Sequence, residues 1–363
     1  MTGRLDPTYT GSPDPGSAGR AGPAADVGRW FSTGAQTASV EAPVGPHAPS
    51  PNAPRTHARD HPWGPSDPSL YGRLSTPEQV LAALDVLRGG PVTVLTGAGL
   101  STESGLPDYR GPRAVPRTPM TYQEFVRSDL SRRRYWARST VGWTQFGTAR
   151  PNRGHRLLAA LAAPLEITGV ITQNVDRLHE EAGSDPVVDL HGRLDVVRCL
   201  DCDRTISRDS LHSRLLGMNP DIAARLEDLA RDAAQAPDGD AEVDRTSRFR
   251  YPPCSLCGGM LKPDVVFFGE SARREMVADA FALLERSRAL LVLGSSLTVM
   301  SGLRFARQAL ADGKPVVIVN DGPTRADDRA TVRVHGRVAD VLGAWALELG
   351  MPNHHRHARR LDP

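Results

Sequence analysis

Four cysteines have the spacing of metal ligands. They form two Cys-x-x-Cys pairs, Cys199 with Cys202 and Cys254 with Cys257, and the chain has no other cysteine. Because nothing in the sequence indicates secretion, a disulfide framework is not expected. Two such pairs predict one tetrahedral zinc ion, whose four thiolate ligands leave no position open for catalysis. The alternatives are two redox-active dithiols or cysteines without a shared role.

Small and polar residues follow four apolar segments that have the pattern of buried strands, 92–96, 165–172, 289–293 and 315–319. In the same order, the segments are followed by Gly97-Ala98-Gly99, Gln173-Asn174-Val175-Asp176, Gly294-Ser295-Ser296 and Asn320-Asp321-Gly322. Glycines let backbone N–H groups approach a phosphate, and amide and carboxylate side chains suit ribose hydroxyls and a carboxamide. Ordinary turns use the same residue types. Their recurrence at four strand ends predicts a dinucleotide crevice.

Helices are expected to position these strand ends. Apolar residues recur at helical spacing in the segments 77–88, 153–161, 278–286, 303–311 and 338–349, and the turn after 92–96 has the pattern of a helix start. Apolar strands separated by helices predict a parallel sheet with helices on both faces, an α/β fold of Rossmann-like architecture. The cysteine pairs lie between the second and third strands, which predicts a separate small four-cysteine zinc-binding module over about 190–265.

The two ends of the chain have a different composition from the middle. Residues 1–70 are rich in proline, glycine, serine and alanine, so we expect a disordered extension. Residues 351–363 are expected to form a tail, which leaves 71–350 for the folded domain. With a formal net charge of +2, no apolar stretch long enough to span a bilayer and no signal peptide, the chain is expected in the cytoplasm, without a membrane or nucleic acid as partner.

Six motifs follow one another along the chain. They are Gly97–Arg110, Thr172–Asp176, Asp189–Gly192, the two cysteine pairs, Lys262–Glu270 and Gly294–Ser296. This set resembles the sirtuins, the Sir2-like NAD-dependent protein deacylases, over about residues 75–350. The resemblance implies a catalytic domain over 71–350, with a large part at about 75–190 and 265–350. Tyr109, Arg134–Arg138, Gly142-Trp143 and the long insert between the cysteine pairs resemble the class II branch.

The resemblance implies transfer of an acyl group from a lysine side chain to the ADP-ribose part of NAD, with release of nicotinamide. The amide oxygen of the acyl-lysine would attack C1′ of the nicotinamide ribose. His191 would be the base that deprotonates a ribose hydroxyl, since an imidazole accepts protons efficiently near neutral pH. Asn174 and Asp176 would hold the nicotinamide carboxamide and order water. The alternative is that they cap a helix over 175–182.

Binding residues are also implied by the resemblance. NAD, the co-substrate, would contact Gly97, Ala98, Gly99, Ser101, Thr102, Glu103, Asp108, Tyr109, Arg110, Gln173, Asn174, Val175, Asp176, Gly294, Ser295, Ser296, Asn320, Asp321, Gly322 and Val338. The segment Val265–Glu270 would pair with the backbone of an acyl-lysine protein by strand addition. Val266 and Phe268 would contact this substrate. For one of Phe267 and Phe268, the alternative is a place in the core. The one zinc ion would be structural.

The sequence does not determine which acyl group would be removed from the substrate lysine. Deacetylation is the default, and class II members also include enzymes that remove long-chain, branched or lipoyl groups. Desuccinylation is disfavoured because the segment 111–117 has no Tyr-x-x-Arg pair. Mono-ADP-ribosyl transfer is an enzymatic alternative. A non-catalytic NAD or ADP-ribose sensor is less favoured because His191 and Asn174 are both present. The insert 211–250, with a helical run at 222–231, is either a loop near the active site or a surface loop.

Overall fold

The computed structural model describes residues 71–111, 114, 118–232 and 246–352. All of them fall within one compact unit. The expected disordered extension, 1–70, lies outside the described residues, as does 353–363 of the expected tail. In the described part of the chain, no helix combines the length and the apolar character needed to cross a membrane.

Six of the strands form one parallel sheet. The described residues contain the strands β1 (Val92–Thr96), β2 (Ile167–Thr172), β3 (Val187–Asp189), β4 (Gly192–Cys199), β5 (Thr205–Ser207), β6 (Leu261–Val265), β7 (Ala289–Leu293), β8 (Val316–Asn320) and β9 (Val332–His335). The order in the sheet is β3-β2-β1-β7-β8-β9. The order reverses between β1 and β7, so the carboxyl ends of these two strands border a crevice. This topology confirms the predicted Rossmann-like fold.

Helices cover both faces of this sheet. The described residues contain the helices α1 (Pro77–Leu87), α2 (Tyr122–Arg127), α3 (Asp129–Phe146), α4 (Arg153–Ala160), α5 (Leu178–Glu181), α6 (Arg208–Met218), α7 (Pro220–Ala223), α8 (Leu226–Asp232), α9 (Arg274–Arg286), α10 (Met300–Ala311) and α11 (Val338–Glu348). On one face, α1, α4 and α11 pack against the sheet, and on the other face α9 and α10 do so. Thr76 and Asn152 cap α1 and α4 through their side chains, which fixes where these helices begin.

Apolar side chains fill the core on both sides of the sheet. Val94 and Leu291 point to the face that also holds Trp345, whereas their neighbours Leu95 and Leu290 point to the face that holds Phe305. Every residue of β1 and β7 is buried. This is why β7 is entirely apolar and why threonines, at Thr93 and Thr96, are the only polar residues of β1.

A smaller antiparallel sheet, with the order β5-β4-β6, lies in the segment between β3 and α9. It shares a core with α3 and α6. The helical run expected at 222–231 is interrupted, because the amide of Arg225 donates to the carbonyl of Ile222, three residues back. Such a tighter turn breaks the regular α-helical pattern, and the segment forms α7 and α8. The acidic end of the insert, 233–245, lies outside the described residues.

Candidate active site

A cleft of about 1460 Å³ opens at the carboxyl ends of β1, β2, β7 and β8. Its wall contains His191, Val266, Phe268 and the whole set of residues expected to contact NAD, from Gly97 to Val338. The topology of the sheet explains this result. Segments that are more than 200 residues apart meet because parallel strands end at the same edge.

The turns after β1 and β7 contact each other through their backbones. The amide of Gly99 donates to the carbonyl of Gly294 across 2.9 Å. A Cβ atom at Gly99 would lie 2.8 Å from that oxygen, so a side chain does not fit here. The helix start expected after 92–96 is wrong: two single 3-10 turns, Ala98–Leu100 and Thr102–Ser104, take its place. Gly105 ends the second turn with φ +83°, a left-handed conformation that favours glycine.

Ser101 connects two of the polar residues that follow β2. Its hydroxyl donates to Oδ2 of Asp176 across 2.6 Å and accepts a hydrogen bond from Nδ2 of Asn174 at 3.1 Å. Nδ2 of Asn174 also donates to the carbonyl of Gly97 at 3.1 Å. Burial raises the pKa of the Asp176 carboxyl, while the Ser101 hydrogen bond opposes this shift. These hydrogen bonds hold an amide and a carboxyl in fixed orientations beside the glycine turn.

The helix after Asp176 is shorter than expected. Instead of spanning 175–182, α5 begins at Leu178, because Arg177 has a left-handed backbone with φ 62°. Oδ1 of Asp176 accepts from the amide of Leu178 at 3.0 Å. Asp176 therefore satisfies the backbone at the start of α5 with one oxygen, while its other oxygen bonds to Ser101.

His191 lies in the connection between β3 and β4, and its contacts fix the tautomer of the ring. Its Nδ1 lies 2.9 Å from the carbonyl oxygen of Gln173. Since a carbonyl only accepts hydrogen bonds, Nδ1 carries the proton in the neutral ring and Nε2 is the basic nitrogen. Nε2 lies 2.8 Å from the hydroxyl of Ser301, which donates to it. Burial lowers the pKa of His191, and Arg304 lowers it further, against the Gln173 carbonyl that raises it. The imidazole is thus held as a neutral base.

Ser301 and Tyr71 are cleft residues that the sequence did not indicate. The helix expected at 303–311 begins at Met300, which brings Ser301 into the cleft. The sequence signal that could have indicated Ser301 is its position soon after the motif Gly294–Ser296. Tyr71 lies at the edge of the expected disordered extension. Its hydroxyl donates to the carbonyl of Arg110, and its ring fills the space that a Cβ atom at Gly322 would need.

The segment after β6 runs beside His191. The amide of Val266 donates to the carbonyl of His191 at 2.8 Å. Phe267 is the core residue of the two phenylalanines, with its ring 5.3 Å from that of Phe125 between centroids. The ring of Phe268 lies 6.0 Å from that of Tyr109, edge to face, on the cleft wall.

The four cysteine sulfur atoms form one cluster. All four Sγ atoms lie within 4.8 Å of one another, with 3.5 Å between Cys199 and Cys257 and 3.8 Å between Cys202 and Cys254. A tetrahedral zinc ion with Zn–S bonds near 2.3 Å separates its sulfur ligands by about 3.8 Å. The donor set therefore fits one zinc ion, and the distances are too long for disulfide bonds. Because all four ligands come from the protein, the ion would be structural.

Comparison with known proteins decides the family. A model of the Sir2 family matches residues 97–301, which is more than half of the chain. The chain belongs to the Sir2 family. Within this Sir2 chain, the match begins at the glycine turn after β1 and ends at Ser301. It includes His191 and all four cysteines, whereas Asn320–Gly322 and Val338 lie beyond it.

Bacterial relatives and solved Sir2 structures extend this family assignment. An NAD-dependent protein deacetylase 1 from Mycobacterium avium is 51% identical over 284 residues, which are 78% of this chain and 99% of that protein. One from Streptomyces coelicolor is 51% identical over 275 residues, 74% of this chain and 89% of that protein. A solved Sir2 structure with p53 peptide and NAD+ is 30% identical and has a TM-score of 0.58, covering 74% of this chain and 97% of that one.

Proposed function

We infer that this chain is an NAD-dependent protein lysine deacetylase, which transfers the acetyl group to ADP-ribose and releases nicotinamide. The observation that carries this inference is the position of His191 on the wall of a strand-end crevice, with Nδ1 2.9 Å from the carbonyl of Gln173 and Nε2 2.8 Å from the hydroxyl of Ser301. Relatives that are about half identical have this activity in their names. NAD as co-substrate supplies the electrophilic carbon C1′ of its nicotinamide ribose and a good leaving group.

The residues of the cleft suggest how the two substrates would be held. Gly99 and Gly294 let the turns after β1 and β7 pack directly backbone against backbone, since a Cβ atom on either would meet the other turn. The NAD diphosphate would bind at these two turns, which line the cleft. Asn174 and Asp176 would orient the nicotinamide carboxamide, since an amide and a carboxyl complement another amide. Nε2 of His191 would then accept the proton of a ribose hydroxyl, after that hydroxyl has displaced Ser301.

For the substrate protein, we propose binding along Val265–Glu270. This segment already donates one backbone hydrogen bond to His191 through Val266, and Phe268 lies on the cleft wall. Strand addition uses main-chain hydrogen bonds and tolerates many sequences. A zinc ion would hold the small sheet, from which β6 leads into this segment.

Three finer assignments are also proposals. The tyrosine at position 109 and the insert between the cysteine pairs, with its helices α6, α7 and α8, support the class II branch. A four-thiolate zinc site suits a reducing compartment, which supports the cytoplasm. The separate parallel and antiparallel sheets support a catalytic domain over 71–350, with a zinc module at about 190–265.

The test is a panel of one peptide that carries different acyl-lysines, followed by mass spectrometry together with nicotinamide release. We expect deacetylation that requires NAD, and its rate across the panel defines the acyl preference. His191→Tyr should abolish deacetylation while fold and zinc content stay intact; an active variant would contradict the role of His191. Nicotinamide release with ADP-ribose attached to protein, and without acyl loss, would instead favour mono-ADP-ribosyl transfer.

A further inference from the structure

Lys262 is a buried lysine of the smaller antiparallel sheet. The chain has only two lysines, Lys262 and Lys314, and the side chain of Lys262 in β6 is only 5% exposed. Taking an ammonium group out of water is costly unless it is paired and hydrogen-bonded. The groups that pair with the Lys262 ammonium therefore indicate the role of this buried charge.

Among the described residues, the partners of the Lys262 ammonium lie in the stretch from β6 to Glu270, apart from the ring of Tyr122, whose centroid is 6.0 Å from Nζ. Nζ lies 3.0 Å from Oε2 of Glu270 and donates to the carbonyls of Pro263, at 3.3 Å, and Val265. It also lies 4.6 Å from the centroid of the Phe267 ring. Burial lowers the pKa of Lys262, and the Glu270 carboxylate opposes this effect.

Glu270, at the other end of the same segment, binds the backbone of Phe267. Its Oε2 accepts from the amide of Phe267 at 2.8 Å, and its own amide donates to the carbonyl of Phe267 at 2.9 Å. One carboxylate oxygen thus binds both the ammonium of Lys262 and the backbone of the turn. The ammonium in turn binds the carbonyl of Val265, where the turn begins. The backbone from Val265 to Glu270 is therefore held around one ion pair, which is buried on its Lys262 side.

One side of this segment faces the cleft. Val266 is hydrogen-bonded to His191, and the carbonyl of Phe268 accepts from the amide of Tyr122 at 3.0 Å. Val266 and Phe268 both line the cleft. A shift of the turn would move these two residues relative to His191. The hydrogen bonds and ring contacts that Lys262 and Glu270 make with described residues are to other parts of the fold than the glycine turns after β1 and β7.

We propose that Lys262 and Glu270 are positioning residues for the acyl-lysine substrate: their ion pair sets the path of the segment along which the acylated peptide lies. The proposal rests on the deacetylase function proposed above. Lys262 lies outside the residues that line the cleft, so its effect acts through Val266 and Phe268, which line it. The ion pair should affect binding of the peptide and not binding of NAD, because the pair holds the segment on one side of the cleft.

Lys262→Met tests the ion pair, because methionine keeps an unbranched apolar stem and removes the charge. We expect the KM for the acetylated peptide to rise on the order of tenfold, with the KM for NAD within about twofold of the unchanged protein. The double variant Lys262→Met with Glu270→Gln should resemble the single variants, since two residues that act as one unit are not additive. Equal losses for peptide and NAD would indicate a merely structural role and would overturn the proposal.

Lys314→Met is the matched control. The ammonium of Lys314 also donates to backbone carbonyls, those of Leu284 and Glu285, but Lys314 lies outside the residues that line the cleft. Its peptide KM should stay unchanged. If Lys262→Met does not fold, as judged by circular dichroism and zinc content, Glu270→Gln alone serves, because the side chain of Glu270 is 25% exposed and tolerates the change more readily.

Binding of the acetylated peptide, measured by fluorescence anisotropy, separates the two possible failures. If the unchanged protein neither binds the acetylated peptide nor releases nicotinamide, both the proposed function and the positioning role are refuted. If it does both and Glu270→Gln binds the peptide equally well, the deacetylase function stands and only the positioning role is refuted. A selective loss of peptide affinity in the variant, with NAD affinity retained, supports the proposal.

Discussion

The hydroxyl of Ser301 donates to Nε2 of His191 across 2.8 Å, while Nδ1 on the opposite side of the ring donates to the carbonyl of Gln173. The two contacts orient the ring from both edges and make Nε2 the acceptor. The basic lone pair is therefore occupied by a hydroxyl of the protein itself. In the role proposed for His191, a ribose hydroxyl would take over the same hydrogen bond, and Ser301 would mark the place of the reacting hydroxyl.

Ser301→Ala should change the pH dependence of the reaction. A hydroxyl that donates to Nε2 stabilises the neutral ring, so its removal raises the pKa of His191. Activity rises as His191 loses its proton, and the acid limb of kcat/KM should therefore move to higher pH, by about half a unit. In the unchanged protein, burial lowers this pKa, which places the limb below the ordinary value for histidine. Ser301→Thr keeps the hydroxyl and should keep the pH profile of the unchanged protein. If the acid limb of kcat/KM does not move in Ser301→Ala, the hydrogen bond between Ser301 and His191 is contradicted.

Gly99→Ala should damage the NAD site. The new Cβ atom would lie 2.8 Å from the carbonyl oxygen of Gly294, which is backbone and cannot turn aside. Overpacking of this kind costs about 1–3 kcal/mol and moves the two turns apart. Calorimetry should show much weaker NAD binding. Gly217→Ala in α6 is the control, since nothing lies within 4 Å of its Cβ position, and it should leave NAD binding unchanged. If both variants bind NAD with equal affinity, the close approach of the Gly99 and Gly294 backbones is refuted.

Loss of zinc should unfold the small sheet. Cys257→Ser removes one of the four clustered thiolates, and structural zinc sites contribute directly to folding. Atomic absorption should find one zinc ion per unchanged chain and much less in the variant. Peptide binding should fall with it, because β6 leads into the segment beside His191. Ser255→Ala, next to Cys254, should retain zinc and activity. Full activity of metal-free protein would disprove a structural ion.

Two buried histidines should make the fold sensitive to acid. The rings of His155 and His179 lie 5.0 Å apart, and burial lowers their pKa values to about 4 and about 3. In the unfolded chain both would titrate near the ordinary value of about 6.5. As pH falls from there towards 4, the unfolded state binds protons that the folded state does not, so stability falls.

Each of these histidines contributes up to about 1.4 kcal/mol per pH unit within that range. His155→Gln removes one titrating group and should make the pH dependence shallower. Urea unfolding of both proteins at several pH values measures the two slopes. Parallel slopes would show that His155 is not neutral in the folded state.

The apolar patterns predicted the parallel sheet because β1, β2, β7 and β8 are buried on both faces. Their residues therefore carry a continuous signal, and the sheet topology then brings the residues at their ends together. The same reasoning could not find Ser301 or Tyr71, since a serine in a helix and a tyrosine near a proline-rich stretch have no distinctive local pattern. Nor could it delimit α5, whose start depends on the left-handed backbone of Arg177.

The polar network at the site was predictable in its members but not in its connections. That Asn174 and Asp176 follow a strand is visible in the sequence, whereas their shared contact with Ser101 depends on the adjacent strand. The tautomer of His191 likewise depends on the carbonyl of Gln173, a backbone atom that every residue type provides. Such contacts arise from tertiary packing and leave no trace in residue spacing.

Because the chain has only two lysines, it has few side chains of its own that could be acylated. Reactive acyl thioesters modify lysines through a free, uncharged amine. Here the amine of Lys262 is buried against Glu270, and that of Lys314 donates to two backbone carbonyls. A protein that removes acyl groups from other chains would thus offer almost no side-chain amine on which such groups could accumulate.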